Sequence, residues 1–396
     1  MKKILALVLA MCMVFALCAC GAKTETPATG TDNKSAYKVA MITDYGDITD
    51  QSFNQSTYEG CKAFCEANSI DFSYYKPAGD STAERVAMVD KAVGDGYNVI
   101  VMPGYAFAEA VLQVQDTYKD VKFIVLDVAK GDILAAALGD KYDYNPDNPE
   151  WNIDEYLRDN VSYSVYQEEL CGYMAGYAAV KLGYTKLGFC GGMAVPAVVR
   201  YGYGFVQGAD AAAAELKADV TINYAYANQF KGDADITAAM DTWYKGGTQC
   251  VFACGGGVYT SVCEAAKKAD GKVIGVDNDQ AGVIDAYADK MCVTSAMKGL
   301  SASVQDILKE TTLNNNFADF GGKIQNLGLI SGDDPTLNYV QIPLETTQWG
   351  DGFTQDNYKA LVADMFSGKI TVSNDISAKE PTATTAKVNF QGNLKG

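Results

Sequence analysis

The sequence contains no histidine. That absence removes Ser-His-Asp and Cys-His catalysis, every metal site that needs an imidazole, and the usual side-chain switch near neutral pH. Basic residues are scarce beside acidic ones, 32 Lys+Arg against 49 Asp+Glu, a formal net charge of −17. So acidic a chain is poorly suited to neutralising phosphates, and no nucleic-acid partner is expected. No Cys-x-x-Cys pair occurs, which argues against a zinc site. Beyond the N-terminus no stretch reaches the 18 or so uninterrupted apolar residues of a spanning helix.

What is present starts with Lys2 and Lys3, followed by an apolar stretch from Ile4 to Leu17 that is too short to span a bilayer. It ends in Leu17-Cys18-Ala19-Cys20-Gly21. A leucine three residues before a cysteine, with small residues between, resembles the bacterial lipobox. The resemblance implies cleavage before Cys20, diacylation of Cys20, and a lipid anchor at the extracytoplasmic face of the cell membrane. An ordinary signal peptide that happens to carry cysteines is the alternative. Residues 1–20 are thus read as a lipoprotein signal peptide. Residues 21–36, GAKTETPATGTDNKSA, are read as a flexible tether.

The 396 residues allow two or three domains at roughly 150 residues each. From Lys38 onward, runs of β-branched residues alternate with helical segments of ten to fifteen residues, the signature of βαβ units and parallel sheets. Strands are expected at Lys38–Thr43, Asp71–Tyr75, Asn98–Met102, Lys122–Leu126 and Val161–Val165, then at Lys186–Cys190, Val220–Tyr226, Cys250–Cys254 and Lys272–Val276. Two successive series imply two doubly wound, Rossmann-like lobes. The polar segment 140–160 reads as a surface loop. Past Lys298 a helix (Ser301–Thr311), a strand (Thr336–Pro343), a helix (Asn357–Phe366) and the run Ile370-Thr371-Val372 are expected, with a loosely held polar tail over 377–396. Eight cysteines outside the targeting segment lie in apolar contexts and read as small core residues.

In doubly wound sheets ligands sit beyond the carboxyl ends of the strands. The first such point is Thr43-Asp44-Tyr45-Gly46-Asp47-Ile48-Thr49-Asp50-Gln51-Ser52-Phe53-Asn54-Gln55. Asp47 and Asp50 read as carboxylates favouring a helix N-terminus, while Asp44, at the strand end, reads as functional. Thr43-Asp44 with Asp50-x-Ser52-Phe53-Asn54-Gln55 resembles the basic membrane protein family of substrate-binding lipoproteins, similar to the purine nucleoside receptors of bacterial ABC transporters. Further family-like stretches follow in order. They are Glu168-Glu169-x-x-Gly172-Tyr173-x-Ala175-Gly176, Gly191-Gly192-Met193-x-x-Pro196-x-Val198-x-Arg200-Tyr201-x-x-Gly204-Phe205-x-x-Gly208, Gly256-Gly257, Ile274-Gly275-Val276-Asp277-x-Asp279-Gln280 and Val293-Thr294-Ser295-x-x-Lys298.

The resemblance implies an α/β, type I periplasmic-binding-protein fold: two lobes, a hinge of three crossings and a central cleft. Lobe 1 is expected at 37–164 with about 296–324, and lobe 2 at 165–295 with about 325–396. It implies that Asp44 takes donors on a purine edge, Phe53 stacks on one face, Asn54 bonds the base and Phe252 stacks on the other face. It further implies that Gly257 admits close backbone approach, Asp277 accepts from ribose hydroxyls and Lys298 donates to the sugar. Core packing is the competing role for Phe53 and Phe252, a loop cap for Asp277 and a plain surface position for Lys298. The function implied is delivery of guanosine, inosine or adenosine to an ABC permease, by a monomer with no cofactor, metal or catalysis. The alternatives are an extracellular nucleoside hydrolase built on Asp44, Asp47 and Asp50, and a ligand-sensing protein for another small molecule.

Overall fold

The structure, a computed structural model, describes residues 36–395. The signal peptide, Cys20 and all but the last residue of the tether lie outside the described residues.

The chain first lays down β1 (Lys38–Ile42), β2 (Asp71–Tyr75), β3 (Val99–Pro103), β4 (Lys122–Leu126) and β5 (Val161–Tyr166). Between them run α1 (Phe53–Ala67), α2 (Thr82–Gly94), α3 (Ala108–Val114) and α4 (Lys130–Leu138). After α5 (Glu168–Lys181) come β6 (Lys186–Gly191), β7 (Thr221–Tyr226), β8 (Cys250–Cys254), β9 (Lys272–Asp277) and β10 (Cys292–Lys298). These alternate with α6 (Pro196–Leu216), α7 (Ala234–Lys245), α8 (Val258–Lys267) and the single turn α9 (Ala281–Ile284). The remainder forms α10 (Leu300–Thr312), β11 (Lys323–Leu327), β12 (Val340–Gln341), α11 (Gln355–Phe366) and β13 (Lys387–Asn393).

Two sheets result, ordered β11-β5-β4-β3-β1-β2 and β12-β10-β9-β8-β6-β7-β13. Their ladders are parallel except for the short β10–β12 pair. This is the architecture of two Rossmann-like lobes. The central strands β3 (VIVMP) and β8 (CVFAC) are buried at every residue, as interior parallel strands covered on both faces must be. Helices α5 and α6 touch backbone to backbone. A Cβ on Gly172 would lie 2.3 Å from the Tyr201 carbonyl oxygen, and one on Gly176 2.1 Å from that of Phe205.

The chain passes between the sheets three times, after β5, after β10 and after β11. The crossings run side by side. Gln167 N–H donates to Leu327 O (2.9 Å), Tyr339 N–H to Gly328 O (3.0 Å) and Gly299 N–H to Tyr339 O (2.6 Å).

Several expectations fail at the periphery. The tail is not loose: β13 pairs with β7 along the sheet edge. Ile370-Thr371-Val372 is not a strand, and only Val340–Gln341 of the expected 336–343 strand pairs. Strands β10 and β11 were not anticipated, and α6 opens on Pro196, a residue that suits a first helical turn. The eight cysteines are free and buried. No helix among the described residues is long and apolar enough to cross a membrane.

Candidate functional site

The carboxyl ends of both sheets face a cavity of about 510 Å³. Asp44, Phe53, Asn54, Gly257, Asp277 and Lys298 line it; Phe252 does not. Of the aspartates in the first loop, only Asp44 keeps an oxygen for the cavity. Its Oδ1 accepts from the N–H groups of Tyr45 and Gly46, both at 2.7 Å, leaving Oδ2 without a partner among the described residues. Burial raises its pKa against those two bonds. Asp50 caps α1, accepting from the N–H of Ser52 (2.9 Å), Asn54 (3.0 Å) and Gln55 (3.1 Å). Asp47 pairs with Lys76 at 2.8 Å. Among the described residues no group of three or more His, Cys, Asp or Glu side chains is placed to hold a metal ion.

Phe53, the first residue of α1, is half-buried at the cavity wall. The aromatic that joins it from the other lobe is Phe230, on the loop after β7. Glycines seat that ring: a Cβ on Gly192 would lie 2.5 Å from it and one on Gly255 3.1 Å. Phe252, by contrast, sits mid-strand with 0% exposure, its ring 5.4 Å from those of Phe189 and Phe205 and 5.9 Å from that of Tyr201. It is two residues short of the strand end, and strand alternation turns it with Cys250 and Cys254 into the core. Gly257 reaches the cavity, but its N–H is already given to Phe230 O at 2.9 Å. Asn54 donates to Asp50 at 3.2 Å, while its own Oδ1 is buried without a partner among the described residues.

The other end of the cavity is charged. Asp277 closes β9 and Asp127 follows β4, both in left-handed backbone at φ 63° and 59°. Non-glycine residues in such strained conformations cluster at functional sites. Asp277 accepts from Ser52 Oγ (2.5 Å) and Tyr201 Oη (3.2 Å). Lys298 Nζ donates to Asp127 Oδ2 (2.6 Å) and Glu168 Oε1 (3.1 Å). Glu168 Oε2 accepts from Arg200 Nε at 2.6 Å. Burial pulls the Lys298 ammonium down, but Asp127, Glu168 and Asp277 outweigh it and hold it charged well above lysine's usual value. Burial pushes Asp127 up to about 6 despite Lys298, and its Oδ1 has no hydrogen-bond partner among the described residues. Lys298 is therefore a caged lysine rather than a surface one.

The lobes touch across this cavity. Besides Ser52–Asp277, Asn278 Nδ2 donates to Ser52 O (3.0 Å) and Gln280 Nε2 to Gln51 O (2.9 Å). Tyr105 Oη reaches Met193 Sδ at 3.7 Å on another wall. Sequence reasoning assigned no site role to Phe230, Asp127, Tyr201, Glu168 or Arg200. Asp127 was within reach of the strand-end rule that found Asp44, one residue past a correctly placed strand.

Two facing α/β lobes with a lined cavity between their strand ends define the solute-binding fold. A solute-binding protein from Aeropyrum pernix K1 shares it, with a TM-score of 0.62 and 20% sequence identity over 85% of this chain and 87% of that one. The chain belongs to the Bmp family, described as ABC transporter substrate-binding protein PnrA-like, whose model matches residues 37–333. It is 26% identical over 366 residues to the ABC transporter nucleoside-binding protein BmpA of Lactococcus lactis subsp. cremoris, covering 87% of this chain and 92% of that one. It is 28% identical to Basic membrane protein B of Borreliella afzelii over 75% of this chain and 80% of the relative. The protein is thus a substrate-binding protein of the ABC transporter class.

Proposed function

We propose that the cavity binds a purine nucleoside (guanosine, inosine or adenosine). A lipid on Cys20 anchors the chain at the extracytoplasmic face of the cell membrane, where it hands the ligand to an ABC permease. The observation that carries this reading is that Phe53 and Phe230, one from each lobe, line one cavity with carboxylates at both ends. A base needs two apolar faces and an edge reader, and a ribose diol is well held by a carboxylate. In this reading the two rings sandwich the base and Asp44 and Asn54 take its edge. Asp277 and Asp127 accept from the ribose hydroxyls, and Lys298 donates to the same sugar. The nucleoside-binding name of the Lactococcus relative supports it.

The mechanism is closure. Each lobe carries half of the ligand's contacts, so the ligand favours the state in which both halves meet, and that state docks on the permease. No bond is made or broken. Mass spectrometry of the small molecule carried through native purification tests the ligand class, with inosine incubated alongside as a check on chemistry. A purine nucleoside in the extract and intact inosine are expected. Free ribose alone in the extract, or release of hypoxanthine, contradicts the reading.

A further inference from the structure

Glu168 and Arg200 stand in two of the stretches that carry the family resemblance, yet Glu168 does not line the cavity. It is fully buried just past the first crossing, on the first residue of α5. Lys298, which it holds, is the last residue of β10, directly before the second crossing. Arg200 lies on α6 in the second lobe, and Asp127 follows β4 in the first. Two cations and two anions thus form an unbroken chain, Arg200–Glu168–Lys298–Asp127, that runs through the hinge from one lobe to the other. The rings of Phe53, Tyr166 and Tyr201 enclose the ammonium at 5.1, 5.2 and 5.6 Å. An ammonium has three donors; two are committed here, to Asp127 and Glu168, and Lys298 lines the cavity.

A buried ion pair is a weak source of net stability, because desolvation offsets attraction. Its value here lies in geometry. We propose that Glu168 is a positioning residue that fixes Lys298 at the hinge and so couples the contact at the sugar end of the cavity to lobe closure. This rests on the nucleoside reading for the identity of the ligand and on the ion-pair chain alone for the coupling.

Glu168→Gln by itself strands a buried guanidinium, so the test uses Glu168→Gln/Arg200→Met, which removes both charges together. It is compared with Lys298→Met and with the triple variant. Calorimetry should show inosine about tenfold weaker in the double variant, the scale of one lost charge-assisted hydrogen bond, with hypoxanthine weakened much less, by the looser closure alone. The triple variant should bind inosine no more weakly than Lys298→Met. Small-angle scattering of the ligand-free double variant should give a larger radius of gyration than wild type. Glu168→Asp, which keeps the charge but shortens its reach, should melt near wild type and still lose inosine affinity. Wild-type inosine affinity in the double variant, losses that add in the triple variant, or an equal loss on hypoxanthine overturns the proposal. A wild-type protein that binds neither compound removes the nucleoside reading instead. The ligand-free radius then decides: a larger one upholds the coupling and an unchanged one overturns it.

Discussion

Ser52 Oγ lies 2.5 Å from Asp277 Oδ2, a hydrogen bond between residues 225 positions apart that joins the helix entrance of one lobe to a strand end of the other. The residue proposed to read the sugar therefore also takes part in closing the cleft. Asp277→Ala should weaken inosine roughly tenfold to a hundredfold, the scale of a charge-assisted hydrogen bond, and hypoxanthine much less. Ser52→Ala should weaken both ligands by a smaller, similar factor, because it loosens closure without touching sugar recognition. Calorimetry with both compounds separates the two. Equal losses on inosine and hypoxanthine for Asp277→Ala would remove it as the sugar reader.

Phe230 and Phe252 should fail in opposite ways. Phe230→Ala should weaken all purine nucleosides by a similar factor, since stacking tolerates ring substituents and is worth about 1–3 kcal/mol per base. It should leave the ligand-free melting temperature near wild type. Phe252→Ala empties a fully buried site and should cost about 3–5 kcal/mol of stability. Thermal melts with and without inosine check both. A Phe252→Ala protein that melts normally but binds no nucleoside would return that residue to the site.

Asp44 offers its free oxygen to whatever donors the base edge presents. Asp44→Asn should change the ranking among purines, with guanosine, which has two adjacent donors, losing about tenfold and adenosine less. A uniform loss across guanosine, inosine and adenosine would assign Asp44 to loop structure alone.

Burial raises the carboxyl of Asp132 to about 6 and that of Glu169 to about 7. Glu169 is 4% exposed, with Oε2 buried and unpartnered among the described residues. Both groups bind protons more tightly folded than unfolded. The stability they contribute is complete below the unfolded carboxyl pKa near 4 and is lost as pH rises through 6 to 7. Carboxyls with depressed values, such as Asp47 and Asp143, are already ionised across that window and do not oppose the trend. The ligand-free melting temperature should fall between pH 5 and pH 8. Glu169→Gln should flatten the upper part and add about 2 kcal/mol at pH 8. A melting temperature that rises with pH over this range, or a substitution without effect on its slope, contradicts the assignment.

The sheets were legible because their strands announce themselves. β3 and β8 are buried on both faces and read as unbroken apolar runs. Of the edge strands, β2 was placed at Asp71–Tyr75 as expected, but two others were not. β11 (KIQNL) and β13 (KVNFQGN) carry polar residues along their exposed faces, so each resembles a loop until its partner is known. The cavity lining was legible at Asp44 from its place after a strand, while Asp277 and Lys298 came from the family resemblance. Phe252 was misplaced because a strand's last turned-in aromatic and a cavity aromatic look alike in one dimension, and Phe230 was missed because its loop has no period. The cage around Lys298 joins residues 130 and 171 positions away, a pairing that local pattern does not carry.

The central claim is that two aromatic faces from opposite lobes hold a purine base. Calorimetric titration of ligand-free protein with inosine and, separately, with ribose tests it most directly. The account predicts inosine binding more tightly by roughly thirtyfold or more, since two stacking contacts of about 1–3 kcal/mol each act on the base and none on the sugar. Equal affinity for inosine and ribose would contradict it.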